Sequence, residues 1–400
     1  RSRGKTIPPR GPSLLLVLQV FSLCNPCHPH PAIFPSSMPR KPRIFSLASW
    51  TRAYQRNLAA LVRATQPAPR KKAVSAQARP ERKVAAKPAP QRPKLANPSE
   101  QWIAGVAPGP AGARRFHLFV PPGLVAAPGE TFALLVMLHG CRQTGSDLAA
   151  ISRMNRIATR KRFLVLYPEQ ERMANSQGCW NWYERRSGKA DAEAATVLAA
   201  VDQVARRHPV DLSRVAVAGL SAGASMAALL AALYPTRFCA VAMHSGVAPG
   251  TAESAANALA AMRGTRDAQL PDAWPALPTA MTDTGLPAAP QGLRLPPLLV
   301  LHGDADRVVS VRNATATALL WAQASGARAT AERTVARGQR YPMRAVDFKL
   351  RGQLAVSLRE IAGLDHAWSG GASRWPYSDP AGPDASALIW AFVARQFKKI

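Results

Sequence analysis

Residues 215–223 read Val215-Ala216-Val217-Ala218-Gly219-Leu220-Ser221-Ala222-Gly223, and residues 224–233 continue as ASMAALLAAL before Tyr234-Pro235. The first four residues are apolar and read as a short buried strand. The alanine-rich run reads as a helix, stopped by the proline. Between them a serine sits two residues from a glycine on either side. A tight strand-to-helix turn crowds its own backbone, and glycines at these two places relieve the crowding. The turn then pushes the serine hydroxyl into the open at the end of the strand. The helix start beneath it brings backbone N–H groups and a positive dipole end close to the hydroxyl. In a chain so rich in small residues the five-residue pattern alone is weak; the strand before it and the helix after it give it weight.

The same alternation extends outward. Phe116–Val120, Phe132–Leu138, Phe163–Tyr167, Phe238–His244 and Pro297–His302 read as strands. Asp147–Arg160, Ala190–His208, Asn313–Ser325 and Ala385–Phe397 carry helical spacing. Strands alternating with helices predict an α/β protein with a mostly parallel sheet covered on both faces. The alternation lapses between Gly246 and Leu295, a stretch long for a connection inside a domain. It is expected to be a cap insertion over residues 247–295, near the active site.

Composition divides the chain near Pro98. The 400 residues carry a net charge of +29, and 47% are apolar, enough for a large core. Residues 1–100 hold 19 Lys/Arg against two acids, Glu81 and Glu100, and 16 of the 36 prolines. Residues 1–97 are therefore expected to be a largely disordered basic leader, and residues 98–400 one catalytic domain. Within the leader, basic residues precede the apolar run Ser13–Cys24, a secretory-signal pattern too short for a membrane span. Met38 offers an alternative start. Residues 44–64 place Trp50, Tyr54, Leu58 and Leu61 at helical spacing, an amphipathic helix. Arg70–Lys94 is Lys/Arg/Ala/Pro-rich, suited to touching anionic surfaces or polymer granules in a salt-dependent way, with no specific nucleic-acid reading. Five cysteines are too sparse for a disulfide-built scaffold, and no spacing suggests zinc, so neither metal nor cofactor is expected.

A serine hydroxyl needs a base within reach. In a sheet of this kind the partners follow the serine in the order acid, then histidine. Only His244, His302 and His366 follow Ser221. The first two end strands, whereas His366 lies in a loop before the last helix and is the base by elimination. The acid is expected just past Pro297–His302, where Asp304 and Asp306 both stand. Asp365 reads as a local loop residue. Acyl transfer also needs donors for a developing oxyanion. The Ala222 N–H is one; the second is expected from the loop His139-Gly140-Cys141, at Cys141, with Arg142 or Gln143 as alternatives. His139, Trp180, Trp182 and Trp368, with Trp375, are candidates for an apolar ester-binding groove.

Seven segments in order carry a resemblance: LHGCRQTG (138–145), CWNWY (179–183), GKADAEAATVL (188–198), VAVAGLSAGASMAA (215–228), AVAMHSG (240–246), LVLHGDADRVV (299–309) and LDHAWSGG (364–371). Together they resemble the poly(3-hydroxybutyrate) depolymerase family of esterases, in its unpermuted catalytic-domain type. The resemblance implies an α/β-hydrolase fold and a Ser221, Asp306, His366 triad, since the family reads His-Gly-x-x-Asp at the acid turn. It implies a disulfide between Cys141 and Cys179, and hence an extracellular or periplasmic location; a start at Met38 would instead suit cytoplasmic polyester granules. The expected activity is hydrolysis of polyhydroxybutyrate or its oligomers through an acyl-enzyme. The alternatives are a feruloyl or acetyl-xylan type of carbohydrate esterase, and a granule- or polyanion-binding protein with secondary hydrolase activity. Leu364-Asp365 departs from the small Gly-rich pair that the family often has before the histidine.

Overall fold

The computed structural model describes residues 101–270 and 295–399, all within the second of the two units into which the chain divides, Ala89–Ile400. The expected signal-like run, amphipathic helix and basic tail of the leader lie outside the described residues.

The order of elements begins with strands β1 (Gln101–Ala107), β2 (Arg114–Val120) and β3 (Phe132–Leu138). Helices α1 (Gly145–Ser152) and α2 (Met154–Lys161), strand β4 (Leu164–Pro168) and helix α3 (Lys189–Arg207) follow. Next come β5 (Val210–Leu220), α4 (Ala222–Leu233), β6 (Ala240–His244), α5 (Ala255–Met262), β7 (Leu298–Gly303) and α6 (Arg312–Ala324). The chain then runs through β8 (Arg328–Ala329), β9 (Arg333–Val335), β10 (Met343–Leu350), β11 (Gln353–Ile361), β12 (Trp368–Ser369), β13 (Ser378–Asp379) and α7 (Ala385–Phe397).

Strand β3 shows why the sheet is sandwiched. Its seven residues, FALLVML, are all buried. Leu134, Val136 and Leu138 enter one core, with Val197 and Val201 of α3, Leu229 and Leu230 of α4, and Trp321 of α6. Leu135 and Met137 enter the other, with Leu148 of α1, Ile157 of α2, and Ile389 and Val393 of α7. Alternate side chains point to opposite faces, so a continuous apolar run requires a cover on both.

The eleven-stranded sheet has the order β1-β2-β4-β3-β5-β6-β7-β11-β10-β8, with β9 also on β10. From β4 through β11 the neighbours are parallel; β1, β2, β8, β9 and β10 pair antiparallel at the two edges. The carboxyl ends of β3, β5, β6, β7 and β11 therefore open on one edge, where ligands of open α/β sheets bind.

Two expectations change, and the cap is described only in part. The single helix over Asp147–Arg160 is two, because Arg153 takes a left-handed backbone (φ 54°) and its N–H caps Ala149 O. The described part of the expected cap, residues 247–270, packs against the body. Val247, Ala248 and Ala252 are buried, and Met262 O accepts from Ser310 N and Asn313 Nδ2 at the start of α6. Residues 271–294 lie outside the described residues. Strands β1 and β8–β11 were not expected, since most carry charged residues without a clean apolar period.

Trp321 is fully buried and donates its indole N–H to Pro296 O at 2.8 Å, just before β7. Trp321→Ala is expected to lower the unfolding free energy by about 3–5 kcal/mol in a urea titration.

Candidate active site

The turn after β5 is as tight as its glycines suggest. Ser221 has φ 56° and ψ −121°, a costly backbone for a residue with a Cβ. It is held by Ser221 N donating to His244 O (2.9 Å) and Ser225 N donating to Ser221 O (3.0 Å). A Cβ on Gly219 would lie 2.4 Å from the Gly223 carbonyl carbon and oxygen. A Cβ on Gly223 would lie 2.1 Å from Leu138 O, at the end of β3. The two glycines thus let the helix start close against its own strand and the neighbouring one.

Three distant segments meet at the hydroxyl. His366 Nε2 lies 2.9 Å from Ser221 Oγ, and His366 Nδ1 lies 2.8 Å from Asp306 Oδ2. Asp306 Oδ1 accepts from Val308 N (2.9 Å) and Val309 N (2.8 Å). The Asp306 side chain is wholly buried and that of His366 nearly so. Burial alone would raise the Asp306 carboxyl; hydrogen bonds from His302 and His366, the electrostatic interaction with the His366 ring and the Val309 N–H outweigh it and hold it far below the usual carboxylate range. An ionised Asp306 selects the His366 tautomer with the proton on Nδ1, leaving Nε2 free to accept from the serine.

The remaining acids of this region serve the loops. Asp304 Oδ1 accepts from Gly363 N (2.7 Å), and Asp365 Oδ1 accepts from its neighbour His366 N (2.8 Å) and from Arg307 N (3.2 Å). They lash the loop after β7 to the loop carrying His366. A Cβ on Gly303 would lie 2.0 Å from Leu364 O, so the His-Gly pair is also a matter of space. Leu364, where the family pattern is departed from, is buried with Met343 and Ile361.

Two buried histidines that sequence reasoning assigned no part flank the site. His302 Nε2 lies 2.9 Å from Val309 O and 3.2 Å from Asp306 Oδ2. His244 Nε2 accepts from Ser369 N (3.1 Å), which leaves its Nδ1 to face Ser245 Oγ. Burial, then the neighbouring His302 and His366, lowers the His244 imidazole to about 3. Both stand at strand ends, and their full burial was the missing signal.

The loop after β3 runs against the serine: a Cβ on Gly140 would lie 3.4 Å from Ser221 Cβ. Its Arg142 N–H is taken by Gln177 O (2.8 Å) and its Gln143 N–H by Gly140 O (3.3 Å). Cys141 and Cys179 form a disulfide. The aromatic groove needs correction. His139, Trp180 and Trp368 are fully buried and Trp182 is 7% exposed, so these rings pack beneath the loops and do not line an open surface. Trp368 stacks on His244 and donates to Ser386 Oγ (3.1 Å), while Trp375 is half-buried against the core shared with α7. Among the described residues no group of three or more His, Cys, Asp or Glu side chains is placed to hold a metal ion.

A serine on a strained strand-to-helix turn, under a sheet of this order, defines the α/β-hydrolase fold. The chain belongs to the esterase PHB depolymerase family, whose pattern matches residues 114–338, a span that includes Ser221 and Asp306 and ends before His366. A poly(3-hydroxyalkanoate) depolymerase C from Paucimonas lemoignei is 34% identical over 200 residues, 50% of this chain and 45% of that protein. A probable acetylxylan esterase A from Aspergillus clavatus is 29% identical over 225 residues, 55% of this chain and 69% of that protein. The chain thus spans less than half the length of the first relative and about two thirds of the second. Among solved structures, the acetyl xylan esterase from Aspergillus awamori shares the fold, with a TM-score of 0.52 at 21% identity, covering 67% of this chain and 94% of that one.

The His244 shift has a stability consequence. The native state excludes a proton that the unfolded chain binds below its ordinary pKa of about 6.5. The contribution is complete above that pH and is lost progressively as pH falls from about 6.5 toward about 3. Urea midpoints are expected to fall over this window, with a shallower slope in His244→Asn.

Proposed function

We propose that this chain is a serine ester hydrolase acting through an acyl-enzyme. The observation that carries the reading is the unbroken hydrogen-bonded run from Ser221 Oγ through His366 to Asp306. His366 takes the proton of Ser221 as the oxygen attacks the ester carbonyl; Asp306 orients the imidazole and stabilises its charged form. The Ala222 and Cys141 N–H groups receive the oxyanion, a choice supported by the prior engagement of the Arg142 and Gln143 amides. His366 then protonates the departing alcohol, and water resolves the acyl-enzyme by the same route.

The substrate is polyhydroxybutyrate or its oligomers, a reading supported by the family and by the Paucimonas relative. A carbohydrate-ester substrate is the second reading, favoured by the acetylxylan esterase relative that matches over more of its length. The Cys141–Cys179 disulfide supports an extracellular or periplasmic location, because thiols are kept reduced in the cytosol. The basic leader is proposed to contact anionic surfaces or polymer granules.

Hydrolysis of p-nitrophenyl butyrate, 3-hydroxybutyrate oligomers, amorphous polyhydroxybutyrate and acetylated xylan by wild type and Ser221→Ala tests these readings together. Ser221→Ala is expected to lower kcat by about 10⁴-fold or more on every ester the wild type cleaves. Activity on oligomers or polymer supports the polyester reading; activity confined to acetylated xylan transfers the mechanism to the second. A mutant as active as wild type overturns the mechanism. Asp306→Asn is expected to cost about 10⁴-fold in kcat, while Asp304→Asn retains most of the activity.

A further inference from the structure

The oxyanion loop sits on a buried polar network that reaches back to helix α3. Glu193, fully buried in α3, accepts from Asn181 N (2.8 Å), Asn181 Nδ2 and Gln170 Nε2 (2.8 Å). Arg114 Nη2 stands 3.7 Å away and the Arg114 Nε donates to Gln170 Oε1 at 3.0 Å. Gln170 also donates its second amide hydrogen to Cys179 O (3.1 Å), next to the disulfide. Its backbone N–H donates to His139 Nε2 (3.1 Å). An accepting Nε2 places the ring proton of a neutral His139 on Nδ1, which faces Gly140 O at 2.8 Å. Burial, opposed by the Gly140 hydrogen bond and the nearby acids Glu169 and Asp147, lowers the His139 pKa and so favours that neutral ring.

The last contact matters because of peptide geometry. Gly140 C=O and Cys141 N–H belong to one planar trans peptide and point in opposite directions. Holding the carbonyl on His139 turns the Cys141 N–H the other way. We propose that Glu193 and Gln170 are positioning residues that, through His139 and the disulfide-linked segment 179–181, aim the Cys141 N–H as an oxyanion donor. This rests on the assignment of Cys141 as a donor. A buried carboxylate in an otherwise uncharged helix face is costly unless fully hydrogen-bonded. Its several N–H partners account for its tolerance in the core, and their identity accounts for its use.

The test compares wild type, Glu193→Gln and Ser221→Ala with p-nitrophenyl butyrate, and measures inhibition by an alkylboronic acid, whose serine adduct mimics the tetrahedral oxyanion. Glu193→Gln turns an acceptor oxygen into a donor facing other donors. It is expected to lower kcat by about 10- to 100-fold, somewhat less than removal of an oxyanion donor outright. KM is expected to stay within about threefold, and boronate affinity to weaken in step with kcat. A raised KM at unchanged kcat, or unchanged boronate affinity, overturns the positioning role while an inactive Ser221→Ala leaves the hydrolase reading standing. An active Ser221→Ala overturns both. Should Glu193→Gln fail to fold by circular dichroism, His139→Asn and His139→Leu carry the test. The Asn side-chain N–H reproduces the donor to Gly140 O and the Leu does not. Higher kcat in His139→Asn than in His139→Leu, at similar KM, supports the role; equal kcat overturns it.

Discussion

The approach of α4 to the end of β3 is the contact on which the site depends. With hydrogen in place of a side chain at Gly223, the first turn of the helix reaches the carbonyls of Leu138 and His139. That approach puts the left-handed Ser221 beside the loop that leaves β3. Backbone strain at one residue is tolerated because the elements around it are over-determined: β5 lies between β3 and β6, and α4 is buried along its length. A methyl group at Gly223 would separate nucleophile and oxyanion loop before it disturbed the histidine.

The acid and base are organised by a second principle, the sharing of backbone N–H groups among carboxylates. Asp304, Asp306 and Asp365 lie within two short loops, and each accepts from backbone. Only Asp306 also faces His366 Nδ1. Like charges so close would repel one another in a bare loop; here the N–H dipoles and the two imidazoles offset the repulsion. The buried His244 and His302 hold neighbouring carbonyls and amides rather than acting as spare bases, since their ring nitrogens are engaged within the loops or enclosed by them.

Much of this was legible in the sequence because short-range rules dominate it. The strand, the Gly-x-Ser-x-Gly turn and the helix were readable from residues 215–233 alone, and chain order reduced the histidines to His366. The choice of Asp306 over Asp304 rested on the family's His-Gly-x-x-Asp pattern; its physical reason lies in the folded loop after β7, where Asp304 turns to Gly363 N and Asp306 to His366 Nδ1. The hairpin β10–β11 was missed because charged residues interrupt its apolar ones: Ala345, Phe348, Val356 and Leu358 are buried, with Asp347, Arg359 and Glu360 set among them. Arg359 and Arg333 both meet Asp347, whose carboxyl, raised by burial, is brought to about 2 by hydrogen bonds from Arg333, Ser357 and Arg359 and the charge of Arg359. The tryptophans were read as a groove since composition cannot tell a ring beneath a loop from a ring above it.

The order of the strands also divides the site mechanically. Asp306 follows β7 and His366 follows β11, adjacent parallel strands in register from Val356↔Leu298 to Ile361↔Gly303. Ser221 follows β5, with β6 between it and β7. The acid and base thus stand one strand step apart, whereas three steps, β5 to β6 to β7 to β11, separate the strand that carries the serine from the one that carries the histidine. Any twist or shear spread evenly over the sheet accumulates across three steps for the Ser221–His366 contact and across one for Asp306–His366. The same change of sheet shape therefore moves the proton-transfer distance more than it moves the contact that sets the tautomer of the base.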